Sequence, residues 1–254
     1  MTEAIFQVRG LSKAYGEKVV LKDVTFDIQR GESFVVMGRS GTGKSVLLRH
    51  LNRLERPDSG SVTFDGTDIA GLSEEALAPI RVHLAMLFQG GALFDSMTVF
   101  ENVAFPLREH RELGEAEIAE RVRKELASVG LEGIEQKMPS DLSGGMKKRV
   151  ALARSLVLEP DVLLFDEPTT GLDPVTSASI GRLINETQRQ RGMTSVVVTH
   201  DIALARLVGD RVSLLHDSAL RFVGTWDEVD ASKDDVLTGF VAGREPAEEL
   251  VTHA

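Results

Sequence analysis

Gly38-Arg39-Ser40-Gly41-Thr42-Gly43-Lys44-Ser45 fits the spacing G-x-x-x-x-G-K-[ST]. It lies between the apolar run Ser33–Met37 and a stretch that reads as a helix from about Lys44 to Leu54. The chemistry open to such a loop is phosphate binding. Glycines let main-chain N–H groups close around phosphate oxygens where a Cβ would obstruct them. The helix that begins at Lys44, Ser45 and Val46 adds about half a positive charge at its N-terminus. Lys44 is suited to reach β- and γ-phosphates, and Ser45 to ligate Mg²⁺. A second candidate is Asp166-Glu167, which closes the apolar run Val162–Phe165. Phosphoryl transfer needs a carboxylate on Mg²⁺ and a group that orients the attacking water; Asp166 suits the first task and Glu167, as general base, the second. Taken alone the pair reads equally as a solvated turn before Pro168. Neighbours on an extended strand point to opposite sides, so serving one site requires the backbone to turn at the strand end. A third candidate, Leu142-Ser143-Gly144-Gly145-Met146, opens another helical run. It is either a Ser-capped helix N-terminus offered to an anion or a plain cap.

The elements that position these residues follow from periodicity. Val24, Phe26 and Ile28 alternate with Thr25 and Asp27, the pattern of a half-buried strand, and Gly60–Gly66 reads as another strand closing in a turn. Ser33–Met37, Val162–Phe165 and Ser195–Val198 are continuous apolar runs of the kind found in parallel strands covered on both faces. A helix from about Val175 to Arg191 separates the last two. Between Phe100 and Leu158 the period becomes helical. Ile118, Val122, Leu126 and Val129 fall on one face, with Glu117, Glu120, Arg121, Arg123, Lys124 and Glu125 on the rest. The pattern predicts an α/β fold, a parallel sheet interrupted by a helical insert. The expected division of a single domain, 1–254, is a core with β subdomain at 1–89 and 159–242, a helical subdomain at 90–158, and a loose polar tail at 243–254.

The 254 residues carry 29 Lys+Arg against 39 Asp+Glu, a formal net charge of −10, and no Cys. Absence of Cys excludes disulfides, a zinc ribbon and a thiol nucleophile. The acidic balance argues against general nucleic-acid affinity, which needs a basic footprint. No apolar run approaches the ~20 residues that span a bilayer, and Met1-Thr2-Glu3-Ala4 lacks the features of a signal peptide. A soluble cytoplasmic protein is expected.

One combination, in order, is more specific: the phosphate loop, Gln89 after the strand His83–Phe88, Leu142–Gly145, Asp166-Glu167, Gly171-Leu172-Asp173-Pro174 and Thr199-His200. This set resembles the nucleotide-binding subunit of ABC transporters, from about Ile5 to Val223. The resemblance implies ATP and Mg²⁺ as ligands, and an α/β fold: a P-loop NTPase core with a mostly parallel sheet, an N-terminal antiparallel β subdomain and an inserted α-helical subdomain. It makes Tyr15 the aromatic that stacks on adenine, against an ordinary strand-end aromatic. It makes Gln89 a sensor of Mg²⁺ and attacking water, against a surface amide. It makes His200 a γ-phosphate contact and partner of Glu167, where sequence alone favours a structural His. Asp173 belongs to the loop that crosses a dimer interface. Ser143, Gly144 and Gly145 form the signature that grips nucleotide held by the other protomer. Glu167, His200 and Gln89 are thus the implied catalytic residues, and Ser45, Gln89 and Asp166 the implied Mg²⁺ ligands. A homodimer that encloses two ATP follows.

A narrower resemblance lies in Met86–Val103, which is similar to ATPases of Mla/MCE-type lipid transport systems. It implies an integral-membrane permease, an MCE-domain lipid-binding protein, a small cytoplasmic accessory protein, and a place on the inner face of the cytoplasmic membrane. Gly90–Asp95 sits where that family docks its permease. Phe94, Phe100 and Phe105 either line an apolar groove there or fill the insert's own core. Met146 stands where many ABC proteins carry Gln, which removes one polar contact to nucleotide. Rival functions are an importer ATPase for amino acids or other small solutes and a non-transport ABC ATPase. A regulatory module without turnover is opposed by Glu167 and His200.

Overall fold

A computed structural model describes residues 3–244; the expected tail lies outside the described residues from 245 onward. In chain order the elements are β1 (Ala4–Tyr15), β2 (Lys18–Gln29), β3 (Ser33–Met37), α1 (Lys44–Leu51), β4 (Ser59–Phe64), β5 (Thr67–Asp68), α2 (Glu74–Arg81), β6 (Leu84–Leu87), α3 (Val99–His110), α4 (Glu115–Ser128), α5 (Gly144–Leu156), β7 (Val162–Asp166), α6 (Pro174–Arg191), β8 (Thr194–Thr199), α7 (Ile202–Val208), β9 (Arg211–His216), β10 (Ala219–Gly224), α8 (Trp226–Asp230) and α9 (Asp235–Val241). They form two compact units. One runs to Leu72 and resumes at Val196; the other is Ser73–Ser195.

The first unit holds an antiparallel sheet of order β2-β1-β4-β5. Val24, Phe26 and Ile28 of β2 point inward and Thr25 outward, as the alternation predicts. The Phe6 and Phe64 rings meet at 5.1 Å across this sheet. The unit also holds the strand order β10-β9-β3-β8, in which β3 pairs with β9 in parallel and β10 with β9 in antiparallel. Every residue of β3 and β8 is buried. The start of β3 is pinned by two acids: Asp210 Oδ2 accepts from Ser33 N at 2.8 Å, and Glu32 pairs with Arg211 at 3.1 Å. This fixes the strand that delivers the chain into the phosphate loop. Helix α1 ends at Leu51, three residues earlier than expected. Arg53 takes a left-handed φ of 57° and turns its buried side chain to Ala70 O at 2.9 Å; that contact depends on a distant segment and leaves no local signal.

In the second unit β6 and β7 pair in parallel, from Leu84↔Val162 to Leu87↔Phe165. Helices α3, α4 and α5 fall between them in sequence. Thr98 and Glu101 form a reciprocal capping box at the start of α3. Ile118, Val122, Leu126 and Val129 are fully buried, as expected. Glu125 corrects the reading of the opposite face: it is buried, and Arg191 of α6 reaches it at 2.6 and 3.2 Å. Periodicity placed it among solvated charges because its partner is 66 residues away. Arg191→Ala leaves that carboxylate buried without its cation. It is expected to lower unfolding free energy by about 3 kcal/mol, read as a drop in urea midpoint at unchanged slope.

Candidate active site

The phosphate loop is built from close approaches. A Cβ at Gly38 would lie 2.6 Å from Leu215 O, and one at Gly43 would lie 2.8 Å from Val20 Cγ1. Gly43 also has φ +104°, a conformation costly for other residues, and caps α1 with no side chain. Lys44 is buried, and its Nζ donates to Gly38 O at 2.8 Å and Arg39 O at 2.9 Å, so the ammonium sits across the loop's own carbonyls. Arg39, Ser40 and Gly41 are exposed, while Ser45 and Val46 are half-buried on the first turn of α1. That turn carries no acid, unlike the first turns of α2, α3 and α4. Main-chain donors, one ammonium and the Ser45 hydroxyl on this first turn fit a polyphosphate with Mg²⁺.

Tyr15 ends β1 with 48% of its surface exposed. Its hydroxyl donates to Glu55, and Lys13 Nζ lies 5.5 Å from the ring centroid. Partial burial, then the Glu55 carboxylate, push the phenol up to about 12, so the ring stays neutral. His200 is exposed at the junction of β8 and α7, next to Asp201, which caps α7.

The remaining candidates lie in the second unit, which brings Gln89, Asp166 and Glu167 around one cation. Asp166 and Glu167 are both buried at the end of β7. Glu167 has φ +46°, the backbone turn that two adjacent carboxylates need to serve one site. Its main-chain oxygen accepts from Thr170 N at 3.2 Å. Lys148 of α5 is buried; burial holds its ammonium below the ordinary lysine value while Asp166 and Glu167 pull it back up. Lys148 Nζ also donates to the main-chain oxygen of Gln89, whose side chain is exposed just beyond β6. Ser143 caps α5, its Oγ accepting from Met146 N at 3.3 Å. Gly144 and Gly145 pack on the Asp173 loop: added Cβ atoms would lie 3.2 Å from Leu172 Cδ2 and 2.7 Å from Thr176 Cγ2. Asp173 caps α6 by accepting from Val175 N and Thr176 N at 3.0 Å each, and the Thr176 hydroxyl above all holds its carboxyl below the usual range.

Sequence reasoning missed three residues here. Lys148 lies one turn before buried Leu152, so a cation within an apolar stripe was the available signal. Asn102 is fully buried; its Nδ2 donates to Phe94 O, Met97 O and Thr98 O at 3.0–3.1 Å, and its Oδ1 accepts from Phe94 N. Arg154 donates to Gly91 O and Ala92 O at 2.9 Å each and lies over the Phe94 ring, with burial holding its guanidinium below the ordinary value. Phe94 itself is exposed and meets Phe105 at 5.0 Å, and Phe100 and Phe105 are half-buried. None of the three fills the core of the helical insert.

A family model described as ABC transporter matches residues 21–170. The chain belongs to the ABC transporter family. As a member of it the protein is an ATPase, with ATP as substrate and Mg²⁺ as the cofactor general to the class. The cassette is 45% identical over 238 residues to the probable ribonucleotide transport ATP-binding protein mkl of Mycobacterium leprae, covering 94% of this chain and 69% of that one. It spans 66% of the Mycobacterium tuberculosis protein of the same name. It is 39% identical over 239 residues to the intermembrane phospholipid transport system ATP-binding protein MlaF of Escherichia coli K12, covering 94% of this chain and 89% of MlaF. The dimeric post-hydrolysis state of the ATP-binding cassette MJ0796, bound to ADP and Pi, superposes with TM-score 0.80 at 34% identity, covering 87% of this chain and 98% of that one. The α/β reading, with its antiparallel sheet near the N-terminus, therefore holds for the cassette.

Proposed function

We propose that the cassette is the energy-coupling subunit of a phospholipid transporter, working as a homodimer on the inner face of the cytoplasmic membrane. The likeness to MlaF over nearly its whole length carries this reading, together with the exposed Phe94 beside Gly90–Ala92. In it, Gly38–Gly43 present N–H groups to the triphosphate and Lys44 neutralises the β- and γ-oxygens. Ser45, Asp166 and Gln89 would hold Mg²⁺, which supplies charge neutralisation at the transferred phosphoryl group. Glu167 takes a proton from the attacking water, and His200 contacts the γ-phosphate end. Tyr15 stacks on the base. Ser143, Gly144 and Gly145, with the Asp173 loop packed against them, address the nucleotide of the partner protomer. ATP then acts as interface adhesive, and its hydrolysis weakens the dimer. Partners would be a permease, docked at Phe94, Phe100 and Phe105, an MCE-domain lipid-binding protein and a small accessory protein.

The test is purification of the tagged chain from its native membranes in mild detergent. Co-purification of a multi-span permease with bound phospholipid is expected. Recovery with a soluble solute-binding protein and no lipid would contradict the lipid reading. A second reading, ribonucleotide transport, is favoured by the name of the mycobacterial relatives. It expects ATPase stimulation by ribonucleosides in the purified complex, where the lipid reading expects stimulation by phospholipid.

Among the described residues no helix is long and apolar enough to cross a membrane. In this reading the membrane span belongs to the permease.

A further inference from the structure

The segment that follows β6 is held to α5 through its main chain. Gln89 O accepts from Lys148 Nζ, and Gly91 O and Ala92 O each accept from Arg154 at 2.9 Å. Between these cations Ala151 backs the segment: a Cβ on Gly91 would lie 3.4 Å from Ala151 Cβ. Lys148, Ala151 and Arg154 are spaced i, i+3 and i+6, one stripe of α5. Both cations are largely buried, so desolvation is offset by the carbonyls they reach, and for Lys148 also by Asp166 and Glu167. Gly91 and Ala92 both have positive φ, +76° and +48°, which turns their carbonyls toward the helix. The N-terminus of the same helix is Ser143-Gly144-Gly145.

We propose that Lys148 is a positioning residue for Gln89, with Arg154 as its second clasp. By fixing the carbonyls of residues 89, 91 and 92 to α5, the pair makes the reach of the Gln89 side chain follow the helix that carries Ser143, Gly144 and Gly145. A displacement of the Phe94 loop, whose ring lies against Arg154, would then register at Gln89 and at the signature together. The proposal rests on the ATPase site assigned above. What it requires of Lys148 is a hydrogen-bond donor at its place. Its charge beside Asp166 and Glu167 is secondary.

Three variants separate these contributions. Lys148→Met removes donor and charge at similar length; Lys148→Gln keeps a donor without charge; Lys148→Arg keeps both. ATPase kcat and KM are measured with a melting curve for each, beside wild type and Lys44→Ala. Lys148→Met is expected to lower kcat at least tenfold with KM for ATP within threefold of wild type. Gln and Arg should restore kcat to within about threefold. A folded Lys148→Met with kcat within twofold of wild type overturns the proposal. So do folded Gln and Arg variants as slow as Met, since a lysine that merely fills space would behave in that way. Arg154→Met supplies an independent clasp: it should also lower kcat with little change in KM, and an unchanged kcat in the folded protein removes Arg154 from the proposal. Failure of the site assignment itself reads differently, as unchanged nucleotide affinity in Lys44→Ala.

Discussion

Glu167→Gln is expected to lower ATP turnover by two to four orders of magnitude while ATP still binds. General-base catalysis is worth about 10²–10⁴-fold, and the amide cannot take the proton. The substitution conserves shape, so the turn at Glu167, with its φ of +46° and the bond from Thr170 N, is retained. The buried place of Asp166 next to it should also be retained. Release of phosphate and equilibrium binding of ATP, measured on one preparation, separate the two effects. Turnover at the wild-type rate would remove Glu167 from the base role. Loss of binding together with turnover would mean that the residue holds the loop rather than the water.

Lys44→Ala is expected to weaken ATP binding about a hundredfold. The Lys44 ammonium now satisfies Gly38 O and Arg39 O. In the bound state it exchanges these carbonyls for phosphate oxygens, and charge-assisted bonds are worth about 1.5–3 kcal/mol each. Two of them come to about 3 kcal/mol at the lower end, roughly two decades in Kd. The fall should appear in titrations with a fluorescent ATP analogue, and ATPase activity should be lost with it. An unchanged Kd would contradict the reading of the loop. The main-chain N–H groups and the helix end remain in this variant, which is why binding is weakened rather than abolished.

Legibility in the sequence followed the range of the interactions. The phosphate loop was readable because its geometry is local: Gly43 needs its φ and Lys44 reaches carbonyls only five and six residues back. Buried strands were readable for a similar reason, since β3, β7 and β8 carry the apolar runs Phe34–Met37, Val162–Phe165 and Val196–Val198. The helical stripe of α4 was readable, but Glu125 was not, because its counter-ion comes from α6. The same limit hid Lys148 and Arg154, whose carbonyl partners lie 59 to 63 residues away. Asn102 is different: its partners Phe94, Met97 and Thr98 are only 4 to 8 residues back, but an amide inside a helix gives no spacing signal of its own. Asp166-Glu167 was ambiguous by itself. The left-handed backbone at Glu167 and the shared cation Lys148 distinguish the pair from a plain solvated turn. The role of His200 was legible through family likeness alone; the residue is exposed beside the cap of α7.

The central claim is that ATP is enclosed by two copies of the chain, each supplying its Ser143–Gly145 loop to nucleotide bound by the other. The most direct measurement is the mass of purified Glu167→Gln in solution, by light scattering, with and without ATP and Mg²⁺. The account predicts the mass of one chain without nucleotide and of two chains with ATP. It also predicts a return to one chain when Ser143→Arg is added to the same variant, with ATP still bound. A single-chain mass at saturating ATP, with binding demonstrated in the same sample, would contradict it.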